Sequence, residues 1–368
     1  MSERIHVKTG KETGYDICFE HDFKSLADLL KTIGFEKRRI CIVSDDNVFP
    51  LYGEAVENEL KKISEDIYNV IFKAGEENKN LDTIKDIYKA LIGYKLDRKD
   101  LIVALGGGVT GDMAGYAAAT YLRGIDFIQI PTTLLSCTDS SIGGKTGVDF
   151  DEFKNMVGAF HMPRLVYINL ATLKSLSARE FASGMGEVIK HGLIKDARYY
   201  EWIINHFTEI NDRDLDTLSY MIKRSCEIKA EVVENDPTEL GERALLNFGH
   251  TIGHAIEKYM DFSLKHGECV ALGTIAACYI SYRRQQLSTE EFYEIRDMFL
   301  PFFLPITLPD DADASRILEY TKSDKKMRAG KIRFILLKDV GKAYIDTTVT
   351  DEEMTDGIKQ LIINDEGE

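Results

Sequence analysis

The chain has one tryptophan, seven prolines and six cysteines in 368 residues. The cysteines, Cys18, Cys41, Cys137, Cys226, Cys269 and Cys278, form no C-x-x-C pair. Their spacing excludes a zinc ribbon and a disulfide framework, and in a chain of this size predicts a cytoplasmic setting. Basic charge is also short: 46 Lys and Arg stand against 61 Asp and Glu, a formal net charge of −15. Nucleic acids and anionic membranes call for a basic face, so neither is expected as a partner. An anionic small molecule is not excluded, because a few cations can line one cleft inside an acidic shell. No apolar run reaches the roughly 18 residues of a membrane-spanning helix. The stretch after Met1 lacks the apolar core of a signal peptide. Internal repeats and low-complexity segments are absent.

What is present reads as an ordinary globular protein. Hydrophobic residues make up 44% and charged residues 29%, which rules out disordered and collagen-like classes. At about 150 residues per domain the length predicts two domains. Up to about residue 170, short β-rich runs at 39–43, 67–72, 101–105, 127–130 and 165–169 alternate with helical patterns at 81–94 and 109–121. That alternation predicts a mostly parallel sheet covered on both faces. From Ser177 onward long helical patterns take over, at 181–194, 199–206, 215–234, 244–260 and 267–286. A late hairpin is expected at 331–337 around Gly341, and 351–368 reads as a solvated acidic helix and tail. The expected division is residues 1–176 and 177–368.

Three groups of residues carry chemistry. Gly106-Gly-Gly-Val-Thr-Gly-Asp112 joins a buried strand to a helix crowded with small residues. Glycine lets the backbone approach a pyrophosphate, and the helix N-terminus offers free N–H groups and a favourable dipole. The spacing is a variant of G-x-G-x-x-G. Asp45 and Asn47 follow an earlier strand, where an acidic residue can accept from a ribose hydroxyl.

The second group is Glu187 on one helix, His250 and His254 at i, i+4 on another, and His266 just beyond. Two His and one carboxylate with an open position form a common catalytic zinc set. Thr251 follows His250, so the H-E-x-x-H protease pattern is absent. Spacing leaves open which two histidines would ligate. The third group is cationic: Lys145 in Gly143-Gly-Lys-Thr146, Lys154, Lys190, Lys229, Arg243 and the pair Lys325-Lys326. Asp139 stands where a P-loop needs its first glycine, which excludes a nucleotide triphosphatase. A lysine among glycines still suits a phosphate or carboxylate.

These segments fall into one order. Gly106 to Asp112, Pro131-Thr-Thr-Leu-Leu135, Asp139-Ser-Ser-Ile-Gly-Gly-Lys-Thr146, Lys154-Asn155, Gly184-Met-Gly-Glu-Val-Ile-Lys190, Arg243-Ala-Leu-Leu-Asn-Phe-Gly-His250 and His266-Gly-Glu268 closely resemble the 3-dehydroquinate synthase family of sugar-phosphate cyclases. The resemblance spans roughly residues 38 to 340. It implies an α/β Rossmann-like N-terminal domain that binds NAD and a mainly α-helical C-terminal domain that binds metal and substrate. It implies a homodimer using NAD and a divalent metal, zinc or cobalt. The implied reaction turns 3-deoxy-D-arabino-heptulosonate 7-phosphate into 3-dehydroquinate and phosphate, the second step of the shikimate pathway, with no net redox.

Carried over by motif, the resemblance implies Glu187, His250 and His266 as metal ligands and leaves His254 for substrate and proton transfer. It implies Asp45, Asn47, Glu76, Lys79, Gly107, Gly108, Asp112, Thr132, Thr133 and Ser175 at the cofactor. It implies Asp139, Lys145, Lys154, Asn155, Lys190, Lys229, Arg243, Asn247 and Lys326 at the substrate. Arg123 resembles an arginine that reaches the phosphate of a neighbouring subunit. The competing readings are a sister cyclase of the 2-deoxy-scyllo-inosose or valiolone type, a metal-dependent polyol dehydrogenase, and a non-catalytic NAD-binding regulator.

Overall fold

The computed structural model describes residues 3–9, 12–151, 153–236, 241–325 and 333–362. The chain divides into two compact units, Met1–Leu176 with Lys229–Glu234, and Ser177–Ile228 with Asn235–Glu368.

The first unit contains β1 (Glu3–Thr9), β2 (Glu12–Glu20), β3 (Ile40–Asp45), β4 (Ile67–Phe72), β5 (Leu101–Gly106), β6 (Asp126–Pro131), β7 (Lys145–Phe150), β8 (Phe153–Phe160) and β9 (Leu165–Asn169). Its helices are α1 (Leu26–Thr32), α2 (Phe49–Leu60), α3 (Leu81–Gly93) and α4 (Gly108–Thr120). Seven strands form one sheet in the order β1-β2-β9-β6-β5-β3-β4. All neighbours are parallel except β1, which lies antiparallel on the edge against β2. Side-chain alternation explains why the strands read as unbroken apolar runs. Ile40 and Ile42 enter one core with Leu26, Leu30, Val56 and Leu60, while Cys41 and Val43 enter a second core with Ile84, Ile87, Met113 and Ala117. Both faces of the sheet are therefore buried, as parallel sheets require.

From β3 the chain moves outward to β4, then returns to place β5 on the other side of β3. That reversal is a topological switch point, and it lies between the carboxyl ends that carry Asp45 and Gly106. The strands expected near 39–43, 67–72, 101–105, 127–130 and 165–169 are all present. The sequence reading missed the β1–β2 hairpin and the separate β7–β8 hairpin, whose exposed Phe153, Met156 and Phe160 obscure the alternation.

The second unit is mainly helical: α5 (Ala178–Lys195), α6 (Ala197–Asn205), α7 (Phe207–Asn211), α8 (Leu215–Asn235), α9 (His250–Tyr259), α10 (His266–Arg283), α11 (Thr289–Asp297), α12 (Ala314–Lys325) and α13 (Asp351–Gln360), with the hairpin β10 (Phe334–Asp339) and β11 (Lys342–Asp346). Within α8, Lys229–Glu234 groups with the first unit. Ser177 caps α5, its Oγ accepting from the Glu180 N–H at 3.2 Å. Helix α10 is buried along most of its length. It packs against α5, α9, α11, α13 and β10.

Two expectations need correction. The helix expected over 244–260 is broken into a 3₁₀ turn, Glu242–Asn247, and α9. The break falls at Gly249, whose φ of +77° suits glycine. A Cβ there would also lie 2.5 Å from Thr274 Oγ1. The acidic segment from 351 is not simply solvated: Met354 and Ile358 of α13 are fully buried, so its charges cover only the outer face. Residues 363–368 lie outside the described residues.

Candidate active site

In the second unit, two imidazoles converge on one carboxylate. Glu187 is fully buried on α5. Its Oε1 lies 3.2 Å from His266 Nε2 and 3.4 Å from His250 Nε2. One ligand atom from each of the three fits within 4.8 Å of the others. His250 Nδ1 lies 3.0 Å from the Phe248 carbonyl. A carbonyl only accepts, so Nδ1 carries the proton and Nε2 presents its lone pair toward Glu187. Two imidazole nitrogens and a carboxylate oxygen in this arrangement fit a divalent metal of the zinc class.

Lys190, one helical turn after Glu187, forms an ion pair with it and donates to the Leu246 carbonyl at 2.7 Å. Burial pushes the Glu187 carboxyl up, but the Lys190 charge, with His250 and His266 beside it, outweighs that and holds it well below the usual range. Burial and the Lys190 charge push His250 down, toward the neutral form a metal needs. Burial lowers His266 too, yet the Glu187 carboxylate outweighs it and the net direction is up. His254 is exposed, its ring 5.2 Å from that of His250 and 6.1 Å from that of His266. Arg243 is one of the largest fully buried side chains of the protein, with its N–H bonded to Asp236 at 3.0 Å. Asn247 ends the turn that leads toward His250.

In the first unit, the glycine turn forms the N-terminus of α4, and no side chain caps it. Asp45 is buried: Oδ1 accepts from the Asn47 and Val48 N–H groups at 3.0 and 2.9 Å, and Oδ2 accepts from Thr110 Oγ1 at 3.0 Å. It thus ties the end of β3 to the first turn of α4. Thr132 Oγ1, Ser140 Oγ and Ser141 Oγ are buried and have no hydrogen-bond partner among the described residues. Uncapped N–H groups beside orphaned hydroxyls fit a nucleotide pyrophosphate. Thr133 Oγ1 bonds Ser136 Oγ at 2.8 Å, and Ser175 Oγ bonds Tyr52.

Lys79 is buried and donates to Asp112 at 2.7 Å and to Asn155 at 2.6 Å. Burial alone would lower Lys79, but Asp112, Glu76 and Asp149 outweigh it and keep the ammonium charged. Lys154 Nζ lies 4.0 Å from Glu76. The network therefore joins positions the sequence reading divided between cofactor and substrate. Asp139 lies on a π-helical turn, Ser136–Ser140. Lys229 forms an ion pair with its carboxylate and donates to its carbonyl at 2.7 Å. Lys145 is exposed at the start of β7. Arg123 is exposed with a φ of +68°, after Leu122 at +51°. Lys326 lies outside the described residues.

Residues 69–183 match the 3-dehydroquinate synthase N-terminal family, and residues 184–327 match the 3-dehydroquinate synthase C-terminal family. The chain belongs to the 3-dehydroquinate synthase family. It is 41% identical over 359 residues to the 3-dehydroquinate synthase of Ruminiclostridium cellulolyticum, covering 98% of each chain. It is 42% identical over 352 residues to that of Acetivibrio thermocellus, covering 96% of each. Among solved structures it resembles the 2-epi-5-epi-valiolone synthase of Streptomyces hygroscopicus with NAD+ and Zn2+ bound. The TM-score is 0.88 at 27% identity, covering 97% of this chain and 99% of that one. A 2-deoxy-scyllo-inosose synthase with carbaglucose-6-phosphate, NAD+ and Co2+ gives 0.87 at 27% identity, covering 98% of this chain and all of that one. The NADH-dependent butanol dehydrogenase of Thermotoga maritima shares only the fold, with a TM-score of 0.69 at 14% identity, covering 97% of this chain and 99% of that one.

Against this family frame, the sequence reading missed the groups that orient the donors. The carbonyls of Leu246 and Phe248 hold Lys190 and His250. Backbone groups leave no mark in residue identity. Glu257, buried and grouped with His254 and His266, was also missed. Its position one turn after His254 on α9 was the available signal.

Proposed function

We propose that this chain is an NAD- and divalent-metal-dependent lyase that converts 3-deoxy-D-arabino-heptulosonate 7-phosphate to 3-dehydroquinate and phosphate. The observation that carries the reading is identity of 41–44% to 3-dehydroquinate synthases over 88–98% of the chain, against 27% to the sister cyclases. The bound cofactors of those neighbours extend the reading to NAD and to zinc or cobalt.

Residues 1–176 form the NAD-binding domain and 177–368 the metal- and substrate-binding domain. Glu187, His250 and His266 would hold the metal. Asp45, Asn47, Glu76, Lys79, Gly107, Gly108, Asp112, Thr132, Thr133 and Ser175 would hold NAD. When bound, the metal supplies Lewis acidity toward neighbouring substrate hydroxyls, and NAD a hydride acceptor that is regenerated within each turnover. Lys190 keeps Glu187 anionic, and the Nδ1–H bond of His250 keeps its Nε2 free to donate. Lys145, Arg243 and Asn247 fix the carboxylate and phosphate ends. Lys154, Asn155, Lys229 and Lys326 complete the anion-binding set. Asp139, Lys190 and His254 orient groups near the reacting carbons. Elimination requires a proton to leave the carbon beside the transient ketone, and an oxygen of the departing phosphate can accept it. Positioning and charge stabilisation then do most of the catalysis. The working unit is a cytoplasmic homodimer in which Arg123 reaches the neighbouring subunit's phosphate.

The test is phosphate release from 3-deoxy-D-arabino-heptulosonate 7-phosphate with catalytic NAD and zinc, while NADH absorbance is followed. Phosphate without accumulating NADH is expected, and Glu187→Gln should abolish it together with bound zinc. Turnover only of the sister cyclases' sugar phosphates would move the assignment to that branch. Net NADH from a polyol would make it a dehydrogenase. A variant that keeps full activity in metal-stripped buffer would overturn the role of Glu187.

A further inference from the structure

The three donors sit on three helices, Glu187 on α5, His250 on α9 and His266 on α10, and one side chain outside the donor set touches the connections among them. Arg179, in the first turn of α5, directs its guanidinium fork at Glu268 of α10. Nε lies 2.7 Å from Oε1 and Nη2 lies 2.7 Å from Oε2. Nη2 also donates at 2.9 Å to the carbonyl of Ser263, in the segment that joins α9 to α10. Glu268 has a second task. Its Oε2 accepts at 2.7 Å from the N–H of Lys265, the residue before His266, and so closes the first turn of α10.

Packing makes this point sensitive. The Gly267 N–H donates to Ser183 Oγ of α5 at 3.0 Å. A Cβ on Gly267 would lie 1.8 Å from the Ser183 carbonyl, and one on Gly186 would lie 2.6 Å from the Gly267 carbonyl. Helices α5 and α10 thus cross in backbone contact beside Glu187 and His266. A planar fork on a carboxylate fixes direction as well as distance, which a single ammonium contact does not.

We infer that Arg179 and Glu268 form a positioning clamp that sets the metal affinity of the Glu187, His250 and His266 group. The inference rests on the metal assignment proposed above. The clamp touches neither metal nor substrate; it acts through the placement of His266 and of the α9–α10 connection. Groups bonded directly to metal ligands change metal affinity by about 10–100-fold when removed, and this pair, which holds the backbone before His266, falls at the lower end of that span.

The experiment measures zinc affinity of the full chain, first stripped of metal, by competition with a chromophoric chelator. Arg179→Ala and Glu268→Gln should each weaken zinc binding by about tenfold. The double variant should lose no more than the weaker single, because the two residues act as a unit. Arg179→Lys keeps charge and bulk but not the fork, and should also weaken binding; it serves if Arg179→Ala does not fold. Saturating zinc should restore kcat in each variant. Lys265→Ala is the control, since it removes the pair with Glu180 between the same helices, an exposed contact of 2.6 Å. Unchanged zinc affinity with a lowered unfolding midpoint of the metal-free protein would reduce the pair to a structural tie and overturn the inference. An equal loss in Lys265→Ala would overturn it as well. Wild-type protein that binds no zinc would instead sink the metal assignment, and the wild type alone reads that outcome.

Discussion

Glu187 is a carboxylate with no exposure to water, a state that costs several kcal/mol unless compensated. Lys190 supplies the compensating charge one turn away, and two imidazoles approach the other side. The asymmetry among the three nearby histidines is informative. His250 and His266 face Glu187, while His254 is exposed and groups with Glu257 and His266 instead. His254→Ala should therefore leave bound zinc unchanged and lower kcat by about 100- to 10,000-fold, the usual span for a proton-transfer group. Parallel measurement of zinc content and phosphate release checks this. Loss of zinc with activity would make His254 a ligand.

At the scale of elements, the metal group depends on helices held at fixed angles. Helix α13 contributes from the periphery. Arg284, just past α10, bonds Glu353 of α13 through Nε at 2.6 Å and Nη2 at 2.8 Å, and reaches Asp346 of β11 at 3.0 Å. The hydrogen bonds from Arg284 lower Glu353 from 4.5 to about 2 despite partial burial. A depressed carboxylate stabilises the fold at pH above its unfolded value. That stability is lost as pH falls through the folded one. Glu353→Gln should thus cost about 1–2 kcal/mol above pH 4.5, after allowance for solvent screening. The difference from wild type should shrink toward pH 2 and vanish below it. Denaturant melts of both proteins across that range are the check; a difference that persists at the lowest pH would remove the ion pair as its cause.

At the scale of the whole molecule, the proposed metal donors all lie in the second unit and the glycine turn in the first. Binding therefore stabilises through separate contributions. Zinc at about a thousand times its dissociation constant should add about 4 kcal/mol to the folding of the unit that holds it. Calorimetry should show an unfolding midpoint that rises with zinc, with no rise in Glu187→Gln. A rise that survives the substitution would place the zinc elsewhere. Among the described residues no helix is long and apolar enough to cross a membrane.

The sequence by itself determined the parallel α/β half and the helical half, and it narrowed the candidate donors to Glu187 and three histidines. Those features are local: a strand buried on both faces reads as an apolar run, a capped helix shows its Ser177, and a motif keeps its order. Only the tertiary structure decided the rest. A glycine near residue 250 does not by itself say that the helix breaks there; the left-handed φ of Gly249, and the closeness of Thr274 that leaves no room for a Cβ, belong to the folded chain. Nothing near 351 says that Met354 and Ile358 are buried, since their cover comes from other helices. The convergence of Glu187, His250 and His266, and the reach of Arg179 across 89 positions to Glu268, are distances between residues far apart in sequence. Residue identity fixes what each side chain can do, and the fold fixes which of them meet.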